Sequence, residues 1–392
     1  MKGFQRLEET EEMFKVSKTI CIAHGGDVSE PSGGTNRVIA FATALRDAGF
    51  DVHLVVPSPK REFPEDLRDI KIHTVPIKAR SIRDQIFRAL LVSLKAKKIA
   101  KNNNAILQIE HSTLAGFATL VGCSNFVLDM HDLSFISPLW NSPFSSKITR
   151  RFIYNMEKRA VSKASKIVVV SNPMKEILIN EWNVPEKKIE VIPNGYFEEK
   201  FKKFNFDIEE VEGMISFLGT LHPKLDLDKI IKLAKSIESS KIYVIGDGSV
   251  RNELERKVRE NNLENVIITG RLPDREAFSL VAKSQVVIYP LKMSLHTKVL
   301  TSVKIFDYAA LGKAMVLDDV SGSDIWKEYK EKKAAMFSNP DDPREFVNCV
   351  QTLLENESLR KEMGLKAKNI AQKYTWERLG KQLVNLYEKV LK

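Results

Sequence analysis

The chain has 392 residues, of which 43% are hydrophobic and 29% are charged. This composition is that of an ordinary soluble globular protein, and the length predicts two or three domains. No apolar run approaches the ~20 residues that span a bilayer, and the charged amino terminus lacks the apolar core of a signal peptide. The net charge of +10 favours anionic partners. The three separated cysteines indicate buried free thiols in a reducing cytoplasm.

Strand and helix patterns alternate through the first half of the chain. "KTICIAHGG" predicts a strand that ends in a glycine turn, "TNRVIAFATALRDAG" has helical spacing, and "FDVHLVVPS" predicts the next strand. Further strands are predicted in "AILQIEH", "NFVLDMHD" and "KIVVVS". Near-continuous Val, Ile and Leu strands separated by amphipathic helices predict a parallel sheet covered on both faces.

The alternation pauses between Gly195 and Gly213, where a polar and turn-rich segment predicts a domain boundary. Strands and helices then alternate again, and the chain closes with three helical segments. The fold class is therefore α/β, with two doubly wound Rossmann-like domains that face each other across a cleft. Ligands in such folds bind beyond the carboxyl ends of the strands, so the loops there are the candidate sites.

Glycines follow the first strand in "HGGDVSEPSGGTNRV" and precede a helix. Gly33, Gly34 and Thr35 predict an anion cradle, because glycines admit close backbone approach and the helix start offers free N–H groups. The loop contains neither GxGxxG nor GxxxxGK[ST], and a flexible glycine turn is the alternative. His131 and Asp132 follow the predicted strand "NFVLDM", where a histidine can bind a substrate hydroxyl or transfer a proton.

Asp132 is expected to orient His131 or to cap the next turn, and a structural histidine is the alternative reading of this loop. Glu110 and His111 occupy a similar place in "QIEHSTLAG", where the structural role is favoured.

In the second half, Gly219 and Thr220 end the first strand, and Lys224 follows. A lysine there can balance the charge of a diphosphate, although an exposed loop lysine is the alternative. Asp247 or Ser249 is predicted to cap the helix in "VIGDGSVRNELE". Backbone groups of two later glycine turns are candidates to hold a base; their residues are Gly246, Arg271 and Leu272.

The segment "SVKIFDYAALGKAMVL", residues 302–317, places a charged pair at the start of an apolar helix. Thr301 or Ser302 is predicted to cap it. Lys304 in the first turn opposes the helix dipole by ~0.3–1 kcal/mol, so an anionic ligand explains it better than helix stability does. Asp307, one turn along, can accept hydrogen bonds from two ribose hydroxyls. A Lys304–Asp307 surface pair, worth only ~0.2–0.5 kcal/mol, is the alternative.

Taken together, eight motifs resemble, in this order and spacing, the GT-B glycosyltransferases, most closely the large retaining group of family 4. They are "GGTNRVIAFATALRDAGFDVHLV", "MHD", "ASKIVVVSNPMKEIL", "VIPNGY", "FLGTLHPK", "YVIGDGSVRNELE", "VIITGRLP" and "VKIFDYAALGKAMVL". The resemblance implies an acceptor domain at 1–200, a donor domain at 201–375, and a terminal helix at 376–392 that packs back on the first domain.

The resemblance also implies the reaction, which is retaining and metal-independent transfer of a hexose from a UDP- or GDP-sugar to a glycan or lipid-linked acceptor. No cofactor is implied, and the leaving phosphate is expected to take the acceptor proton in front-face attack. The implied catalytic residues are His131, Lys224 and Lys304. The implied donor-binding residues are Gly33, Gly34, Thr35, Gly219, Thr220, Gly246, Arg271, Leu272, Ser302, Val303 and Asp307. The implied acceptor-side residues are Arg37, His111 and Asp132.

Two departures from the family pattern leave alternatives open. Val299 stands at the first position of an acid–x7–acid motif, and Thr220 stands where many members carry arginine. His296 and Lys298 are candidates for part of the vacant role. The alternatives are a catalytically degenerate GT-B binding subunit and a sugar-nucleotide epimerase, although the latter needs cleft carboxylates that the sequence does not suggest. A nucleic-acid partner is disfavoured, because no recognition module is present.

A basic stretch at residues 78–104 carries an apolar stripe of Ile82, Ile86, Leu90 and Leu94, and residues 145–160 add further cations. This pattern indicates peripheral contact with an anionic membrane surface, at the cytoplasmic face, in an enzyme with a lipid-linked acceptor. A packed helix with a solvated basic face is the alternative. The oligomeric state is not predicted.

Overall fold

The computed structural model describes residues 18–30, 32–77, 81–137, 147–203, 208–299 and 301–391. These residues form two parallel β-sheets of seven and six strands with helices between the strands, as predicted. No helix within these ranges is long and apolar enough to cross a membrane. The amino-terminal segment, to which the signal-peptide expectation refers, lies outside the described residues.

The first sheet has the strand order β3-β2-β1-β4-β5-β6-β7, so the order reverses between β1 and β4. Its strands are β1 Thr19–Ala23, β2 Asp51–Pro57, β3 Lys71–Val75, β4 Ile106–Glu110, β5 Phe126–Met130, β6 Ala164–Val169 and β7 Ile189–Val191. Its helices are α1 Gly33–Asp47, α2 Ile82–Asn102, α3 Ser112–Leu120, α4 Lys147–Lys163 and α5 Asn172–Asn180.

Helices cover both faces of this sheet, which explains why its strands are rich in apolar residues. In β1, Ile20 packs in one hydrophobic cluster with Phe41 of α1, whereas its neighbour Cys21 packs in another with Val92 and Ala96 of α2. Successive side chains of a strand point to opposite faces, so each face receives alternate residues.

The second sheet has the order β10-β9-β8-β11-β12-β13. Its strands are β8 Val211–Leu218, β9 Lys241–Ile245, β10 Val266–Gly270, β11 Ser284–Tyr289, β12 Ala314–Asp318 and β13 Met336–Ser338. The remaining helices are α6 Glu198–Lys203, α7 Leu227–Ser236, α8 Arg251–Glu260, α9 Asp274–Lys283, α10 Leu295–Lys298, α11 Val303–Ala310, α12 Asp324–Glu331, α13 Pro343–Glu355, α14 Glu357–Ala371 and α15 Trp376–Val390.

The carboxy-terminal helix α15 returns to the first sheet and packs against α1, as the resemblance implied. Trp376 and Leu383 are buried in the cluster that covers one face of that sheet. The Trp376 ring meets Phe41 edge-on at 5.8 Å. At Gly380, a Cβ atom would stand 2.5 Å from the Cβ of Ala44, so glycine permits the close approach of the two helices.

Segments on either side of the domain connection hold the two halves together. Tyr196 forms a parallel bridge with Thr375, so the segment that leads from the first domain to the second runs beside the segment that returns to the first. The loop before α11 also bonds to the first domain, because Ser171 donates to the carbonyl of Val299 at 2.8 Å and Thr301 donates to the carbonyl of Val170 at 2.9 Å. These bonds fix where α11 begins relative to the first sheet.

Candidate active site

Two adjoining cavities lie in the cleft between the domains, with volumes of about 620 and 290 Å³. Residues from both sheets line them, and they share Gly33, Gly219, Thr220, Val303 and Lys304. Because these residues belong to both linings, the cavities form one continuous site at the carboxyl ends of the strands.

Two helix N-termini, one from each domain, meet at this site. Ser32 caps α1 by accepting the N–H three residues on at 3.0 Å, and Ser302 caps α11 by accepting the N–H two residues on at 3.3 Å. A Cβ atom on Gly33 would stand 3.4 Å from Cγ2 of Val303, so the two helix starts are in near contact. The remaining free N–H groups and the aligned dipoles favour an anion between them.

The Lys304–Asp307 pair of α11 lies within the cleft, with Nζ 2.8 Å from Oδ2. Both residues line the larger cavity, and Asp307 is only 7% exposed. Burial lowers the pKa of Lys304, but the Asp307 carboxylate outweighs this effect and raises it. Lys304 is therefore held as an ammonium beside a buried side chain, which disfavours the surface-pair alternative.

Lys224 lines the smaller cavity, half-buried, with Nζ 5.9 Å from the centre of the Tyr289 ring. Among the described residues it has no ion-pair partner, so its charge is available to a ligand. The His222 ring stacks on His296 at 5.9 Å beside it. Burial, followed by the nearby Lys224 ammonium, lowers the pKa of His222 to about 4, so this ring is neutral.

His131 closes the smaller cavity from the first domain. Its Nε2 lies 2.8 Å from Oε2 of Glu110 and 3.1 Å from Oδ2 of Asp129, and both carboxylates are fully buried. Burial alone lowers the pKa of His131, but the two carboxylates outweigh it and raise that pKa to about 9. Since Nε2 is committed to them, Nδ1, 3.5 Å from where a Cβ on Gly34 would stand, is the atom left for a ligand.

Arg37 lies beneath the site rather than at its acceptor side, which corrects the expectation. It is fully buried, because this position on α1 faces the sheet. Its Nε and Nη2 bond Asp129 at 2.7 and 2.8 Å, and its Nη1 donates to the carbonyl of Pro193 at 3.0 Å. Arg37 therefore neutralises the carboxylate that holds His131.

Asp132 pairs with His111 rather than orienting His131, which is a second correction. The two side chains lie 3.0 Å apart and are about one-third exposed. Burial lowers the pKa of His111, but the Asp132 carboxylate outweighs it and raises that pKa. His111 has a φ of 79°, a conformation that non-glycine residues adopt at a cost and that recurs at functional sites.

The predicted donor residues are mostly brought together. Those that line at least one cavity are Gly33, Gly34, Gly219, Thr220, Gly246, Arg271, Leu272, Ser302, Val303 and Asp307, with the catalytic candidates His131, Lys224 and Lys304. Thr35 lies outside both cavities, because it is buried and its hydroxyl accepts from Ser32 at 2.8 Å. His111 and Asp132 also lie outside both.

The loop after β9 differs from the prediction. The helix α8 begins at Arg251 with Val250 at its cap, and neither Asp247 nor Ser249 caps it. Asp247 instead accepts the N–H of Gly248 at 2.7 Å and lines the larger cavity. The turn is tight enough that a Cβ on Gly246, at φ 143°, would overlap the carbonyl oxygen of Gly219.

Sequence reasoning missed several residues of the larger cavity. Aromatic side chains from the domain connection and from α9 line it, namely Tyr196, Phe197, Phe201 and Phe278. Arg61 also lines this cavity and lies 3.6 Å from Glu30 of its own domain, whereas Arg271 reaches Glu30 from the second domain at 3.5 Å. Arg61 lies in a loop with no recognisable motif, so no local pattern marks it.

Among the described residues, one group of side chains has the composition of a metal site. It consists of Glu110, Asp129 and His131, whose ligand atoms lie within 4.8 Å of one another. Asp129 already accepts two bonds from Arg37, and both carboxylates accept from His131. This donor set is thus occupied by internal cations, and it suits a held proton better than a metal ion.

Comparison with known proteins agrees with this architecture. Residues 31–200 match the family Glycosyltransferase Family 4, and residues 212–356 match Glycosyl transferases group 1. An uncharacterized glycosyltransferase of Methanocaldococcus jannaschii is 26% identical over 368 residues, which is 91% of this chain and 95% of that protein.

Two further proteins carry more specific names. The N-acetylgalactosamine-N,N'-diacetylbacillosaminyl-diphospho-undecaprenol 4-alpha-N-acetylgalactosaminyltransferase of Campylobacter jejuni is 22% identical over 353 residues, covering 88% of this chain and 93% of that one. HepE of Anabaena in complex with UDP-glucose has a TM-score of 0.70 at 15% identity, over 95% of this chain and 99% of that one. The latter similarity is one of fold. Fold, cleft and family matches together place the chain among the group 1 GT-B glycosyltransferases, and it is a glycosyltransferase.

Proposed function

We propose that this enzyme transfers a hexose from a UDP- or GDP-sugar to a glycan or lipid-linked acceptor, without a metal ion and with retention of configuration. The observation that carries the proposal is the meeting of two helix N-termini, beside Lys224 and Lys304, in one cleft. The complex of HepE with UDP-glucose and the diphospho-undecaprenol named for the Campylobacter enzyme support the donor and acceptor classes.

The position of each part of the donor follows from the residues that line the two cavities. The diphosphate lies between the starts of α1 and α11, where Lys304 and Lys224 add positive charge. Asp307 accepts from the ribose hydroxyls in the larger cavity, and the base lies against the loops of Gly246 and Arg271. The sugar then occupies the smaller cavity, beside Nδ1 of His131.

The same groups stabilise the leaving nucleoside diphosphate. Preorganised donors aimed at developing charge are usually the largest contribution to catalysis, and here two dipoles and two lysines supply them. Of the described residues that line the smaller cavity, none is a carboxylate. A double displacement through a carboxylate nucleophile therefore has no candidate there, which favours front-face attack with the acceptor proton passing to the leaving phosphate.

Val299 bears on the degenerate-subunit alternative. It is 3% exposed and packs in the core of the first domain, while its carbonyl accepts from Ser171. Residue 299 therefore contributes a contact between the domains. The absence of an acidic side chain there does not remove Lys304 or Asp307 from the cleft. The epimerase alternative lacks cavity carboxylates beside the sugar.

The membrane part of the proposal rests on one face of the first domain. Helices α2, α3 and α4 pack in sequence, and their most exposed large apolar side chains include Phe87, Leu94, Ile148 and Phe152. Of the predicted stripe, Ile86 is exposed, Leu90 is half-buried, and the side chain of Ile82 lies outside the described residues. We infer that this face, with the exposed cations Arg83, Lys98, Lys147 and Arg151, contacts an anionic membrane.

A thermal-shift panel tests the donor site first. UDP, GDP, ADP and their sugars are added to the wild type and to Asp307→Ala, with and without Mg²⁺. The expected result is stabilisation by one nucleotide series, unchanged by Mg²⁺ and lost in the variant. Absence of any shift contradicts the donor site, and a shift without glycosyl transfer to any acceptor favours the binding subunit.

A further inference from the structure

A chain of buried hydrogen bonds joins the carboxy-terminal helix to His131. The Tyr387 hydroxyl of α15 donates to Oε1 of Gln108, and the Gln108 amide donates to Oε1 of Glu110. The other carboxylate oxygen of Glu110 lies 2.8 Å from Nε2 of His131. Tyr387, Gln108 and Glu110 are all fully buried.

The direction of each bond follows from the donors and acceptors available. Because the tyrosine hydroxyl donates to the carbonyl of Gln108, the amide NH₂ group faces Glu110. Glu110 then accepts from Gln108 on one oxygen and from His131 on the other. If the Gln108 amide turned over, its carbonyl oxygen would face Oε1 of Glu110, and neither of these two oxygens would have a donor in that contact.

We propose that Tyr387 is a positioning residue for glycosyl transfer, which acts through Gln108 and Glu110 to hold His131 with Nδ1 toward the donor. The proposal rests on the proposed function, because it assigns a task to His131 in that reaction. It also gives α15 a role beyond packing, since a helix that follows the second domain completes a network of the first.

A purely structural role explains this arrangement poorly. Replacing a bonded pair of buried polar groups by apolar side chains of the same shape is nearly neutral or stabilising, so packing of the helix alone does not require these polar residues. The series of hydrogen bonds ends at His131, which lines the smaller cavity and whose Nδ1 is available to a ligand. The charged and titratable groups that face His131 from the surrounding elements are Glu110, Asp129, Arg37, His24, His111 and Asp132.

The test is an NMR titration of His131 in the full-length chain, labelled at histidine, paired with the pH profile of transfer. Three proteins are compared with the wild type, namely Tyr387→Phe, Gln108→Leu and the control Tyr329→Phe. Tyr329 is also fully buried, and its hydroxyl bonds the carbonyl of Ala367 within the second domain. Gln108→Leu interrupts the same chain from the first sheet, so the test does not depend on one variant.

The expected result is a His131 pKa about one unit lower in Tyr387→Phe and Gln108→Leu than in the wild type, and unchanged in the control. The basic limb of the kcat profile should move with it, while the KM for the donor changes less. An unchanged His131 titration in both variants overturns the proposal, as does a shifted titration with an unshifted kcat profile. If the titration shifts but no nucleotide sugar is a substrate, the link to His131 stands and the proposed function fails.

Discussion

Charge compensation distinguishes the basic side chains of the cleft. Lys304 is paired with Asp307 and His131 with two carboxylates, whereas Lys224 has no ionic partner among the described residues. Lys224 and Lys304 both line the smaller cavity, so the proposed diphosphate at its edge would meet one free cation and one that shares its charge with Asp307. The Lys304–Asp307 pair is therefore preorganised before the ligand arrives.

Replacing Lys304 with alanine is expected to lower kcat by roughly 10²–10³-fold, because in the proposed reaction this lysine stabilises the negative charge that develops on the leaving diphosphate. The KM for the donor should change less. Steady-state kinetics of Lys304→Ala measure this, with Lys235→Ala as the control, since Lys235 is an exposed lysine on α7. A variant with normal kcat would show that Lys304 does not contact the leaving group.

The raised pKa of His131 predicts a pH dependence of stability. The folded-state pKa is about 9, above the ordinary value of 6.5, so the proton stabilises the fold. This contribution is complete below pH 6.5 and is lost as the pH rises through about 9. Urea unfolding of the wild type and His131→Asn across that range should show a steeper loss in the wild type. Parallel curves would contradict the imidazolium assignment.

At the scale of elements, the tight loop after β9 forms part of the wall of the larger cavity. Gly246 and Gly312 both have positive φ, but only Gly246 also faces a backbone carbonyl at overlapping distance. The two positions therefore separate backbone conformation from close contact.

Gly246→Ala is expected to destabilise the protein more than Gly312→Ala, which should cost about 1 kcal/mol for the positive φ alone. Gly246→Ala should also abolish stabilisation by nucleotide, because the loop that carries residue 246 must move away from Gly219. Thermal unfolding with and without nucleotide measures both effects. Equal destabilisation in the two variants would mean that the close approach of Gly246 to Gly219 does not require glycine.

The exposed face of α2 and α4 predicts membrane binding. Phe87→Ser with Ile148→Ser should reduce co-sedimentation with vesicles that contain anionic lipid several-fold, because these side chains are 57% and 78% exposed. Leu365→Ser is the control, since Leu365 is 61% exposed on α14 of the other domain. Equal binding by both proteins would exclude this face as the contact.

At the scale of the whole molecule, α15 couples the stability of the two domains. It follows the second domain in sequence, yet its apolar side chains lie in the core of the first. Loss of its contact with α1 therefore weakens a domain that the helix does not adjoin in the chain.

Gly380→Val is expected to lower the midpoint of thermal unfolding by several degrees, because a side chain there meets Ala44 of α1. Lys381→Val, one residue away on the exposed side of the same helix, is the control for helix propensity. A similar unfolding midpoint in both variants would show that moving α15 away from α1 does not lower the stability of the protein.

The central strands and the cap of α11 were predictable from local patterns, whereas the cap predicted for α8 was wrong. β1, β5 and the second half of β8 are buried and rich in apolar residues, and Ser302 has the position and chemistry of a cap. The edge strands β3, β7 and β13 were not predicted. An edge strand has one neighbour and is less buried, so its sequence carries a weaker apolar signal.

The sequence by itself determined the fold class and the repeated strand–helix order, and it predicted several glycine, lysine and acidic residues that line the cleft, because these follow from periodicity and turn chemistry within short segments. Only the tertiary structure decided that Arg37 lies beneath His131, that Asp132 pairs with His111, and that Tyr387 reaches Glu110 through Gln108. Each of these partnerships joins residues that different elements bring together, and the direction in which a charged side chain points depends on packing that no local pattern encodes.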